Sequence, residues 1–259
     1  MSTELEPTHP TRADAVRNVK LVLRYDGANY HGWQRQPGLS TIQTTLEDAF
    51  ERAAGERCAI HASGRTDAGV HALAQVAHVH TATRVPTDHL AKAMNGWLPP
   101  DIVVTEAVDV PVDFHARHHA RRKTYVYQLR FGRQRDPHWA RTTFTLWHVP
   151  DLARMRAAAA MLVGRHDFRS FTTDANADAD TVRTLFALRV LRWREGVRVF
   201  ATGDGFLMHM VRTLTGVLVA AGIGRLTPEG VRELLSVHDR RAAPAALPAH
   251  ALFLWRVDY

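Results

Sequence analysis

Two kinds of apolar spacing alternate along this chain, and the alternation runs through twice. Val19, Leu21, Leu23 and Tyr25 recur at every second residue, the period of a half-buried strand, before a turn at Asp26-Gly27. Ile42, Leu46, Ala49, Phe50 and Ala53 then mark one face of a helix stopped by Gly55, with Ser40 expected as its cap and Gln43 reaching back. A strand over Ala74 to His80 follows. A helix starting at Thr87 after Pro86 is expected to bury Leu90, Met94 and Trp97 before Pro99-Pro100 ends it, and Ile102 to Val110 reads as another strand.

The second pass opens with a strand over Lys123 to Phe131, with Tyr125, Tyr127, Leu129 and Phe131 on one face. Asp151 is positioned to cap a helix through Leu162, closed by Gly164. A hairpin turns at Glu195-Gly196 between Thr184 to Arg194 and Val197 to Thr202. Leu207, Met210, Val211, Leu214, Val217, Leu218 and Ala221 trace a helical stripe, a last helix starts at Thr227-Pro228, and Leu252 to Val257 closes as a strand. This order predicts an α+β protein of two similar halves, each a sheet backed by helices, over residues 17–112 and 113–259. Residues 1–16 are polar, carry Pro7 and Pro10 and lack the apolar core of a signal peptide, so a disordered tail is expected there.

No stretch approaches the roughly 20 apolar residues of a membrane span; the longest candidate, Leu214 to Ile223, is broken by Thr215, Gly216 and Gly222. A cytoplasmic protein with no membrane partner is expected. Cys58 is the single cysteine, which excludes an intrachain disulfide and a cysteine zinc site; it reads as a small structural residue on a strand. The 16 histidines include His78-x-His80 and the pair His118-His119, yet no spacing completes a metal-ligand set with a carboxylate, so no metal is expected. The formal charge is +7, and among 33 basic residues only Lys20, Lys92 and Lys123 are lysines. That excess favours a polyanionic partner, and arginine's planar fork suits phosphates and base edges.

The segment Gly64-Arg65-Thr66-Asp67-Ala68-Gly69-Val70-His71 is the most unusual. Two glycines frame an Arg-Thr-Asp triplet where the backbone must turn tightly and can approach a ligand. From local chemistry the carboxylate is either an Asx-turn with a solvated ion pair or a nucleophile or base. His71 is expected to brace the loop by hydrogen bonding.

This octapeptide resembles the signature of the tRNA pseudouridine synthase A family. Further blocks resemble that family in order: Tyr25-Asp26-Gly27 with Tyr30 to Gln36, Asp113 to Arg117, Lys123 to Tyr127, His166 to Phe171, Phe206 to Arg212, and Val257-Asp258-Tyr259. The resemblance implies the pseudouridine synthase fold, two halves with mostly antiparallel strands joined in a central sheet with an active-site cleft. It implies isomerisation of uridine to pseudouridine at positions 38, 39 and 40 of the tRNA anticodon stem-loop, by a homodimer and without a cofactor. Asp67 is then the catalytic nucleophile. Arg65, Tyr125 and Arg212 bind the substrate nucleotide: Arg65 holds it out of the stack, Tyr125 stacks on uracil, and Arg212, which can leave the apolar stripe of its helix, pairs with Asp67 or the substrate. Arg84, Phe114, His115, Ala116, Arg117, His118 and Arg133 contact tRNA. Whether the carboxylate attacks the ring or the sugar is left open. His118-His119 departs from the family pattern, as does the acidic stretch Asp174 to Asp180. Two other readings stand beside this one: an RNA-binding protein that kept the scaffold without catalysis, and a metal-dependent nuclease using Asp26 and Asp67.

Overall fold

The computed structural model describes residues 16–134, 136–173 and 180–259. The expected tail therefore lies outside the described residues apart from Val16, and so does the acidic stretch apart from Asp180. The elements follow the order β1 (Arg17–Tyr25), α1 (Ile42–Ala54), β2 (His61–Ala62), β3 (His71–Thr81), α2 (Thr87–Asn95), β4 (Ile102–Val110), β5 (Arg122–Phe131), β6 (Phe144–Leu146), α3 (Leu152–Leu162), β7 (Gly164–Asp167), β8 (Val182–Trp193), β9 (Gly196–Gly203), α4 (Met210–Gly222), α5 (Pro228–Val237) and β10 (Leu252–Asp258).

All ten strands belong to one mixed sheet, ordered β4-β1-β3-β10-β5-β9-β8-β7, with β2 beside β3 and β6 beside β5. Strands before residue 112 form one wing and those after it the other. The seam is β10, the last strand in sequence, which runs parallel to β3 and antiparallel to β5. Phe253 of β10 pairs with His71 on one side and Val126 on the other, so the loop entering β3 stands level with the middle of β5. Helices α1 and α2 pack together over the first wing, and α3, α4 and α5 over the second. Leu21, Leu23, Ile42, Leu46, Phe50, Leu90 and Met94 fill the first core, and Tyr127, Leu129, Phe168, Leu214 and Leu218 the second, all fully buried. Among the described residues no helix is long and apolar enough to cross a membrane.

Several local expectations shift. Thr41, not Ser40, caps α1: its backbone is extended and its hydroxyl accepts from the Thr44 amide at 3.3 Å. Gln43 does not reach back; its side chain accepts from Gln34 and the Arg35 amide and donates to Glu47, tying α1 to the preceding loop. Trp97 lies just past α2 and is 55% exposed, covered on one face by the Arg52 guanidinium at 5.2 Å. Leu207 precedes α4 rather than lying on its stripe, and Cys58 sits in the coil before β2 with its thiol pushed up by burial and Glu56. Asp151 and Thr227 cap α3 and α5 as their positions suggest.

Candidate active site

The Asp67 loop is held by its neighbours' backbones. Thr66 accepts from the Trp33 amide at 3.0 Å, Gly69 donates to Tyr30 at 3.3 Å, and Val70 closes the turn on the Asp67 carbonyl at 3.1 Å. Gly27 and Gly32 make this approach possible. A Cβ on Gly27 would stand 2.0 Å from the Val70 carbonyl oxygen, and one on Gly32, whose φ is +85°, 2.7 Å from that of Thr66. The block Tyr25 to Gln36 is therefore the cradle of the Asp67 loop. Beneath it runs a buried chain of hydrogen bonds: Tyr25 to Thr66 at 2.9 Å, Ser63 to Gln75 at 2.7 Å, and Gln75 to the Gly64 carbonyl at 2.9 Å. Lys123 reaches across the seam to donate to the Ser63 carbonyl at 2.6 Å; burial, with Arg117 and Arg183 nearby, pushes it down to about 8.

His71 braces the loop, as its position suggests. Its Nδ1 accepts from the Gly27 amide at 3.2 Å, and Nε2 meets the carbonyls of Arg141 and His250 at 2.9 Å. Nδ1 also lies 3.0 Å from Oδ1 of Asp26. Asp26 accepts from the Ala28 amide and pairs with Arg141 at 3.1 Å, so its carboxylate is committed to the cradle.

Asp67 itself points to the second wing. Its Oδ2 lies 3.3 Å from Nη1 of Arg212 and 3.5 Å from Nε2 of His209. Both groups belong to the start of α4, where the helix dipole adds partial positive charge. Arg212 is only 15% exposed at its side chain and is anchored by its Nε donating to the Leu247 carbonyl at 2.6 Å, so this is no mobile surface pair. Arg65, the sequence neighbour, does not supply the cation. It is exposed and has no hydrogen bond or ion pair among the described residues.

Tyr125 stands on β5 across the seam, 8% exposed, its ring packed edge-on against Phe206 with centroids 5.1 Å apart. Burial first, then Tyr25 and Asp67, push its phenol well above the usual range. Its hydroxyl is neither bonded to a described residue nor sealed from solvent. Tyr127 is the contrast, fully buried with its hydroxyl donating to the Pro248 carbonyl at 2.7 Å.

The other expected contacts spread along the strands. Arg117 and His118 are exposed, but Ala116 is fully buried, its amide donating to His78 and its carbonyl accepting from Tyr259. Its side chain cannot touch a ligand, so the segment offers Arg117 and His118 instead. Phe114 packs against His78, His119 and Tyr259, and the His115 ring accepts from the Arg117 and His118 amides. Exposed Arg84 lies past the far end of β3, about 35 Å from the Asp67 loop at strand rise. Exposed Arg133 lies past the opposite end of β5. A cluster of rings, His61, His78, His80, His115 and His118, was not foreseen; among the described residues no three His, Cys, Asp or Glu side chains converge to hold a metal. His209 was also missed as a site residue, and nothing in its local sequence marks it.

The family model described as tRNA pseudouridine synthase matches residues 21–119 and 158–259, which hold the Asp67 loop and the Arg212 helix but not Tyr125. By class this is an RNA-modifying isomerase. The chain belongs to the tRNA pseudouridine synthase family, and so isomerises uridine to pseudouridine in tRNA. It is similar over 94% of its length to proteins named tRNA pseudouridine synthase A from Acetivibrio thermocellus (37% identical), Exiguobacterium sp. (38%) and Geotalea uraniireducens (39%), covering 100%, 98% and 100% of those chains.

Proposed function

We propose that Asp67 is the nucleophile that lets uracil leave C1′ and return through C5, acting on a uridine turned out of the anticodon stem-loop at positions 38, 39 and 40. The supporting observation is the convergence of Asp67, Arg212 and Tyr125 at the seam between the wings. The reaction breaks the N1–C1′ bond, forms C5–C1′, releases the C5 proton and places one on N1, so it is redox-neutral.

Arg212 orients Asp67 before substrate arrives, a cost met in folding rather than in the reaction. The buried face of Tyr125 gives uracil a stacking platform, and its free hydroxyl lies within reach of C5 for the proton step. Arg65, exposed and uncommitted, fills the space the uridine leaves, offsetting a few kcal/mol of lost stacking. Arg84, Phe114, His115, Arg117, His118 and Arg133 follow the stem on both sides of the site. The protein works in the cytoplasm as a homodimer, with one tRNA spanning both copies.

Tritium release from tRNA labelled at uracil C5 tests this reading. Wild type turns over and Asp67→Asn does not; equal release by the variant overturns it. Mapping the product at 38, 39 and 40, and sedimentation of the free protein, test the site of action and the dimer.

A further inference from the structure

His209 carries an unusual backbone. Its φ is +60° and ψ is 3°, and His238 is the only other non-glycine residue at positive φ among the described residues. It occupies the cap position of α4 yet makes no capping hydrogen bond with its side chain. Glycine would relieve the first fault and serine or asparagine the second, so neither is explained by the needs of the helix. Strain of this kind persists where the surroundings over-determine it. Here the surroundings are specific: Nδ1 lies 2.8 Å from the Thr173 hydroxyl, and Nε2 lies 3.5 Å from Oδ2 of Asp67.

We propose that His209 is a positioning residue for Asp67, which, with Arg212, fixes Oδ2 so that the other carboxylate oxygen faces the uridine, and that its neutral imidazole is the working form. The proposal rests on the reading of Asp67 as nucleophile. Both cationic-side partners address Oδ2, and Oδ1 has no partner among the described residues. Thr173 donates its hydroxyl proton to Nδ1, which places the ring proton on Nε2 and aims it at the carboxylate. A second proton would set a full imidazolium beside the Arg212 guanidinium on one oxygen, tightening the ion pair and weakening the carboxylate as a nucleophile. The charged groups facing the ring, among the described residues, are Asp67 from the loop before β3, Arg212 from α4 and Arg240 from the turn after α5. Burial pushes the imidazole below its ordinary range; Asp67 opposes this, and Arg212 and Arg240 add to it.

Single-turnover tritium release by saturating full-length enzyme, followed between about pH 5 and 8.5, tests the proposal. Wild type shows an acid limb. His209→Gly relaxes the backbone and raises Tm, yet loses about 30-fold or more in rate at pH 8 with tRNA Kd unchanged. His209→Gln, whose amide reaches the Nε2 position but cannot be charged, recovers about tenfold of that loss and abolishes the acid limb. A Gly variant with the wild-type rate, or a Gln variant with the wild-type limb, overturns the proposal. Asp67→Asn run alongside separates the two readings: wild-type release by that variant sinks the nucleophile, whatever His209 does.

Discussion

Gly27→Ala, a single methyl group on a residue with no reacting atom of its own, should displace the Asp67 loop and suppress turnover. The added Cβ would stand 2.0 Å from the Val70 carbonyl oxygen, a backbone atom, and contacts under 3.0 Å essentially do not occur, so one of the two backbones must retreat by about 1 Å. Val70 cannot yield alone, because its amide closes the turn on the Asp67 carbonyl. Gly27 cannot easily yield either, since its own amide donates to His71. The displacement therefore passes into Asp67 and its approach to Arg212. Overpacking of this kind costs about 1–3 kcal/mol in stability, and a misplacement of about 1 Å at the reacting groups costs about 100-fold in rate. Gly38→Ala is the control: its φ is +72° but nothing lies within 4 Å of the added Cβ. It should lose about 1 kcal/mol of stability to backbone strain and no rate. The measurement is single-turnover tritium release at saturating enzyme, with urea unfolding and tRNA filter binding for each variant. A folded Gly27→Ala protein with a rate within about threefold of wild type would refute the idea that this contact sets the position of Asp67.

Arg212→Lys should reduce the rate by about 100-fold or more, because an ammonium cannot hold the Leu247 carbonyl and Asp67 at once; tritium release near the wild-type rate would count against the clamp. Tyr125→Phe keeps the packing against Phe206 and should leave tRNA Kd within about twofold while slowing release after glycosidic cleavage, which product analysis under single turnover would detect. Arg65→Gln should change stability by no more than about 0.5 kcal/mol, the side chain having no partner to lose, but should suppress turnover on folded tRNA more than on a single-stranded oligonucleotide. Acid should weaken the fold through His78. Its Nδ1 accepts from the Ala116 amide, and burial, with His115, His61 and His80 around it, pushes it down to about 4. Between pH 6.5 and about 4 the unfolded chain takes up a proton that the folded one refuses, so stability falls through that window by about 3 kcal/mol and levels off below it. Urea midpoints at pH 7 and 4.5 measure the drop, and an undiminished drop in His78→Gln would exclude this source.

What could be read from the chain was local. The β1 alternation, the Asp151 and Thr227 caps and the Pro86 entry into α2 depend on contacts within a few residues, and each element is found where its spacing puts it. The cap of α1 moved by one residue because Ser40 and Thr41 are chemically alike and only the backbone separates them. Trp97 was expected inside together with Leu90 and Met94, but its partner is a guanidinium on another helix, which no periodicity reveals. The site divides the same way. Glycines announced a loop at Asp67, and the neighbouring Arg65 was an obvious cation for it. The cation that meets the carboxylate is Arg212, 145 residues away, a pairing expected from the family resemblance and from Arg212 lying off its helix's apolar stripe, not from any local pattern around Asp67. The left-handed backbone of His209 could not be picked out from the chain, since histidine tolerates that conformation without requiring it and 16 histidines were candidates.

The place of β10 gives the enzyme a timetable. The strand that aligns the Asp67 loop with Tyr125 is made after both of the wings it joins. A nascent chain that has not yet added β10 lacks the strand that sets the Asp67 loop level with Tyr125. A stop between α5 and β10 would likewise release a protein that keeps Asp67, Tyr125 and Arg212 but lacks the strand that aligns them.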